Sequence, residues 1–119
     1  MKGFSYRWYG YIFLELIIFL ALFNAPGTRK RGKDLSAPRV YTVEISGMKF
    51  NPAALVVHQG DKVMFVNHDL VVHDVTEAAK KSWTSSPLGV GKSWSLNVQQ
   101  SAVYYCSIHP VMRGSITVK

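Results

Sequence analysis

Residues 106–112 read Cys106-Ser-Ile-His109-Pro-Val-Met112, which places three side chains with donor atoms at intervals of three. Two strand-type runs flank them, Ala102–Tyr105 before and Gly114–Val118 after. On a strand, residues three apart face opposite sides, and each step advances the chain by roughly 3.3 Å. The donors can converge only on a tight loop at a strand end. Pro110 sits inside that loop and fixes one backbone angle. The chain must therefore build a β-framework whose hairpin tip carries a thiol, an imidazole and a thioether.

Those donors are soft to borderline, and Cys106 is the sole cysteine. A thiolate and an imidazole with a thioether in weak axial reach suit copper cycling between Cu(I) and Cu(II). A fourth ligand must come from elsewhere, and His73, in the segment Asn67-His-Asp-Leu-Val-Val-His73-Asp-Val75, is the candidate. Other readings of Cys106 are weaker. A lone cysteine is often a small buried apolar residue, but here histidine and methionine flank it. A Cys–His nucleophilic pair usually assembles from distant segments with an orienting Asn or Asp. Zinc favours more thiolates or imidazoles and does not take thioether sulfur. A dinuclear copper centre would need a second cysteine. A mononuclear copper site for electron transfer is the expectation.

Strand signals recur through the second part of the chain, at 40–45, 54–57, 62–66, 73–76, 92–98, 103–105 and 115–118. Turn signals separate them at Ser46-Gly47, Gln59-Gly-Asp61 and Pro87-Leu-Gly89. Many short strands so punctuated indicate an all-β sandwich or barrel. Residues 76–91 show no sustained period and are expected as an irregular connection, with a helical turn at Glu77–Lys80. About 80 residues suffice for one small domain with a thin core.

From about Arg39 to Lys119 the sequence resembles the cupredoxins, the small blue copper proteins that include plastocyanin, pseudoazurin and amicyanin. Three motifs carry the resemblance: the run from Met48 through Phe50, Pro52, Leu55 and Val57 to Gly60-Asp61, the segment Asn67–Val75, and the ligand loop. The compact Cys-x-x-His-x-x-Met loop is most similar to that of amicyanin. The resemblance implies a cupredoxin-like Greek-key β-sandwich and one type 1 copper ion held by His73, Cys106, His109 and Met112. It also implies an apolar docking patch, where His109, Pro110 and Val111 form the electron exit. Two departures stand out. Asp74 takes the place of a common Asn that ties this segment to the cysteine loop. It can still accept the loop's N–H groups, and its charge bears on the redox potential. Gln99–Ala102 lacks a usual glycine. Asp74 and Asn67 are the expected supports behind the ligands.

The other marked residues take ordinary roles. His58 is expected in a solvated hairpin turn and His68 on the surface. Trp83 and Trp94 are expected to pack in the core. Only one of Tyr104 and Tyr105 can face inward. Met48 fits either core packing or a place near the copper end, and Lys80-Lys81 an exposed corner. Nothing resembles a nucleic-acid platform.

The N-terminus differs in kind. Trp8 to Gly27 is almost wholly apolar, about the length of a bilayer span, with Trp8, Tyr9 and Tyr11 at its start. A cleavable secretory signal is the rival, since Leu16–Phe23 matches its apolar core, but Glu15 interrupts the run and no clean small-x-small site follows. The expected organisation is a transmembrane helix in 1–27, a basic linker in 28–38 and the cupredoxin domain in 39–119. An ionisable group within a span costs on the order of 2.5–3.5 kcal/mol. Glu15 is therefore expected to face a membrane partner, making the chain a subunit or companion of a respiratory complex. Co-purification in mild detergent tests this, and a solitary monomer counts against it.

Residues 1–34 carry six basic and two acidic side chains, and residues 35–119 eight and five. Arg29, Lys30, Arg31 and Lys33 outnumber Lys2 and Arg7 across the span, which by the positive-inside rule would place the domain in the cytoplasm. A thiolate copper site belongs outside that reducing compartment. The periplasmic or other extracytoplasmic side is the expectation, with the basic linker against anionic lipid or an acidic partner. The function expected is single-electron shuttling between redox proteins, such as a cytochrome or a membrane oxidoreductase. The alternatives are copper delivery or storage, and a structural subunit of a membrane complex. No enzymatic role is expected, because every proposed metal position is occupied by a side chain.

Overall fold

Alternation of apolar and polar residues builds the first sheet. In the computed structural model, which describes Gly27 and residues 36–119, β1 (Val40–Ser46) turns Val43 and Ile45 inward and Thr42 and Glu44 outward. β4 (Lys62–Asn67) does the same with Val63 and Phe65. β1 pairs with β4 in parallel and with β2 (Lys49–Asn51) in antiparallel, and β6 (Ser93–Asn97) completes the order β2-β1-β4-β6. The second sheet has the order β3-β8-β7-β5, from β3 (Ala54–Val57), β8 (Arg113–Val118), β7 (Ala102–Tyr105) and β5 (Thr76–Glu77). Only β1–β2 and β7–β8 are hairpins within one sheet; every other connection crosses to the opposite sheet. The fold is the expected all-β sandwich.

Three aromatics anchor the core between the sheets. Phe50, Phe65 and Tyr104 meet edge to face with centroids 4.9–6.3 Å apart, the preferred arrangement for such rings. Trp83 and Trp94 pack partly buried against this cluster, and Tyr105 takes the half-exposed side of its strand. Tyr104 lies opposite Gly114 across the β7–β8 ladder. A Cβ at position 114 would fall 2.3 Å from the Tyr104 ring. Gly114→Ala must displace that ring, and overpacking of this kind costs about 1–3 kcal/mol. Denaturant unfolding measures it, and an unchanged midpoint would show that the ring shifts freely.

Four expectations need correction. Of residues 73–76 only Thr76 lies in a strand, at the start of β5. His73 makes a single bridge to Leu88, and the next two amides go to side chains, Asp74 N–H to Cys106 Sγ and Val75 N–H to Ser85 Oγ. Ladder bonds are thus diverted into the ligand region. The turn expected at Pro87–Gly89 lies at Val90-Gly91, because Leu88 is held in that bridge. His58, exposed as expected, sits where the chain passes from β3 in one sheet to β4 in the other, which is no hairpin.

Glu77–Lys80 is a non-helical turn. Its organiser is the Glu77 carboxylate, which accepts the amides of Ala79, Lys80 and Ser82. Those bonds, Lys80 first and then Ala79 and Ser82, hold its pKa down to about 2 against an ordinary 4.5. A carboxyl that binds protons less readily when folded stabilises fully above its unfolded value and loses that contribution as pH falls towards the folded one. Glu77→Gln should flatten the fall in melting temperature between pH 4.5 and about 2. An equally steep fall in the variant would assign the acid sensitivity elsewhere.

The expected span at residues 8–27, Glu15 within it, and the basic run Arg29–Lys33 lie outside the described residues, Gly27 aside. No helix among the described residues is long and apolar enough to cross a membrane. Ser36–Lys119 form one compact unit.

Candidate metal centre

Two segments far apart in sequence meet at one end of the sandwich. The first leaves β4 at Asn67, whose buried side chain pegs the loop that follows. Its Nδ2 donates to the carbonyls of Val71 (2.9 Å) and Leu88 (2.8 Å), and its Oδ1 accepts from Asp69 N–H (2.9 Å). His73 exchanges two backbone bonds with Leu88. Its ring is fully buried and has almost no freedom of placement.

Asp69 then orients that ring. His73 Nε2 donates to Asp69 Oδ2 at 2.9 Å, so Nδ1 is left with a free lone pair, the arrangement typical of a metal-binding imidazole. The same carboxylate accepts the amides of Gly47 (2.7 Å) and Met48 (2.9 Å) in the two-residue turn between β1 and β2. Both turn residues have positive φ, near +60°, as a type I′ hairpin requires. Met48 is the unusual occupant there. The Met48 amide is the main influence holding the Asp69 carboxyl below its ordinary range, with further help from Gly47 and His73 and against the effect of burial. Its position four residues before His73 has no fixed meaning in an irregular loop, so spacing does not single Asp69 out. The available signal was a carboxylate on the same loop as a ligand histidine.

The second segment is the loop from β7 to β8. Met112 N–H donates to the His109 carbonyl (3.0 Å), closing a turn with Pro110 at its second position, and Cys106 N–H donates to the Met112 carbonyl (3.1 Å). Cys106 and Met112 are buried and His109 is half-buried. Asp74 ties this loop to the first segment, as expected from the sequence. Its carboxylate accepts Ser107 N–H (2.7 Å) as well as the Ser107 and Thr76 hydroxyls, and its own N–H points at Cys106 Sγ (3.4 Å).

The result is a triangle of donor atoms. Cys106 Sγ lies 3.7 Å from His73 Nδ1 and 3.9 Å from His109 Nδ1, and the two nitrogens are 3.2 Å apart. Bonds of roughly 2.0 Å to nitrogen and 2.3 Å to sulfur at trigonal angles separate the two nitrogens by roughly 3.5 Å and each nitrogen from the sulfur by roughly 3.7 Å. His73, Cys106 and His109 would hold one ion through these three atoms. Nδ1 of His73 carries a lone pair because Nε2 donates to Asp69, and it converges with His109 Nδ1 and Cys106 Sγ as the atoms of a ligand set do. With Met112 on the same loop, two imidazoles, a thiolate and a thioether would supply the donor chemistry of a type 1 copper site. The set suits one copper ion.

Residues 38–119 match the family profile of copper-binding proteins of the plastocyanin/azurin family. The chain is a cupredoxin. Among solved structures, this cupredoxin resembles a Cu(I) form of one amicyanin variant, with 26% identity and a TM-score of 0.63 over 67% of this chain and 82% of that one. A second amicyanin variant in its Cu(I) form has 26% identity and a TM-score of 0.64, covering 71% and 87%. It also resembles the Cu-containing nitrite reductase (NirK) from Thermus scotoductus SA-01, with 30% identity and a TM-score of 0.63 over 71% of this chain. The cupredoxin spans only 23% of that reductase. No curated protein sequence matches it.

The remaining marked residues fall as follows. His68 is exposed, 3.9 Å from Glu44. Met48 is partly exposed at the ligand end and stands outside the core. Lys80 and Lys81 are exposed.

Proposed function

We propose that this cupredoxin is a membrane-anchored carrier of single electrons, held on the extracytoplasmic side and working between redox proteins, one of them a cytochrome or an oxidoreductase of a membrane respiratory complex. The observation that carries this reading is the pinned donor triangle. Asp69 fixes one imidazole, Asp74 fixes the cysteine loop, and the backbone on both sides is hydrogen-bonded. Copper supplies a one-electron couple there. The protein's share is to hold the donors still, because a site that need not rearrange between oxidation states exchanges electrons with a low barrier.

His109 gives the way out. Its ring is half-buried, and the two segments that carry the ligands also carry exposed apolar side chains: Leu70 (92% exposed), Val71 and Val72 before His73, and Ile108 and Val111 (87% exposed) on either side of His109. Contiguous exposed apolar surface marks an interaction site, and small interfaces suit fast exchange between carriers. Tethering raises the effective concentration near a membrane partner. Side chains supply every position of the proposed donor set, which favours a carrier over an enzyme. The same pinning favours retention of copper over delivery or storage.

The test is an optical redox titration of the copper-loaded full chain in detergent. A reversible one-electron transition with copper retained through repeated cycles is expected. Loss of the metal on reduction would sink the carrier reading.

A further inference from the structure

The charges on the described surface are sharply divided. Of the five carboxylates in residues 36–119, four are turned inward onto hydrogen bonds. Asp61 accepts the amides of Arg39 and His58, Asp69 those of the β1–β2 turn, Asp74 the Ser107 loop, and Glu77 its own turn. Glu44 alone is exposed, at 61%, and His68 lies against it. All eight lysines and arginines of the same residues are exposed.

Strand register places three of those cations at the ligand end. Lys49 pairs with Ser46 at the end of β1, Lys92 precedes the Ser93–Val66 pair at the end of β4, and Arg113 follows Met112 at the start of β8. Lys49 and Arg113 line one cleft of about 250 Å³ with Met48, Asn51, Val111 and Met112. No carboxylate lines it. This cleft adjoins Val111, which belongs to the apolar surface around His109.

We infer that the apolar face around His109 docks a protein whose own contact surface is acidic, with a partner carboxylate seated in the cleft between Lys49 and Arg113. The inference rests on the carrier reading and adds the partner's chemistry to it. Apolar contact brings the two redox centres close, and the rim cations select and orient the partner. Complementary charge of this kind acts mainly on the encounter rate and on the choice of partner.

Two readouts test it on the full chain in neutral detergent. In the first, a ten-residue oligoglutamate is titrated while backbone amide shifts are followed by NMR. Shifts at Lys49, Val111 and Arg113 are expected. They should vanish when Lys49→Glu and Arg113→Glu are combined, and persist when Lys62→Glu and Lys119→Glu are combined at the far end. In the second, ferricyanide oxidises the reduced copper-loaded chain. One electron leaves the site and reduces Fe(III) to Fe(II), with no bond made or broken. Its rate should fall on the order of tenfold as salt is raised, and fall similarly in the Lys49/Arg113 variant at low salt. Oxidation by the cation tris(phenanthroline)cobalt(III) should respond in the opposite direction.

Oligoglutamate shifts scattered over the whole basic surface, or rates indifferent to the Lys49/Arg113 variant, overturn the inference. So does an effect of phosphatidylglycerol added to the micelles on those amides where the peptide has none, since the face would then read lipid. A chain that binds the peptide at the cleft but cannot cycle its copper leaves the acidic contact standing and removes the carrier reading.

Discussion

Cys106→Ser abolishes the strong visible charge-transfer absorption expected when copper(II) is added to the purified protein. The band needs a thiolate bonded to the metal, and Cys106 is the only sulfur of that kind in the chain. A serine hydroxyl stays protonated at neutral pH, whereas a thiol loses its proton readily beside a metal. The variant keeps the geometry of the loop, because the backbone bonds from Cys106 to Met112 and from Met112 to His109 do not involve the sulfur. Loss of the band with an unchanged β-sheet circular dichroism spectrum is the expected pair of results. A blue serine variant would place the metal elsewhere in the protein.

The second large effect concerns a residue that never touches the metal in this scheme. Asp69→Ala should weaken copper binding by roughly 10–100-fold, the usual penalty for removing the partner of a ligating histidine. Two losses combine. The His73 ring keeps its place through the Leu88 bridge but loses the acceptor that fixes its tautomer. The β1–β2 turn also loses both acceptors of its strained amides. Asp69→Asn separates these losses, since its amide oxygen can still accept from the turn or from the ring. Competition with a copper chelator measures the affinity. Equal affinity in wild type and Asp69→Ala would show that backbone bonds alone orient His73.

What the sequence made legible was what is local. Cys106, His109 and Met112 lie on one loop between two strand-like runs, so their convergence follows from chain geometry. Asp74 could be read because a carboxylate can accept the same N–H groups as the amide it replaces, and Ser107 N–H is indeed donated to it. His73 required a second motif, since nothing local links it to a loop 33 residues away. Asp69 was not legible, because its three bonds join the β1–β2 turn, the β4 loop and a ligand, a coincidence that exists only after folding. The same cause hid β2 and misplaced the strand at 73–76. Whether those amides bond to a ladder or to Cys106 and Ser85 is settled by tertiary packing, and apolar periodicity carries no record of it.

The crossings between sheets have a kinetic consequence. Half of the strands, β3 to β6, find a hydrogen-bonding neighbour only after the chain has closed long loops, and topologies dominated by such distant pairings fold on the scale of milliseconds to seconds. Cys106, His109 and Met112 share the β7–β8 loop, but His73 joins them only once the first segment has packed against it, so the complete donor set belongs to the folded domain. Folding is therefore expected to precede metal entry, with the ion arriving last.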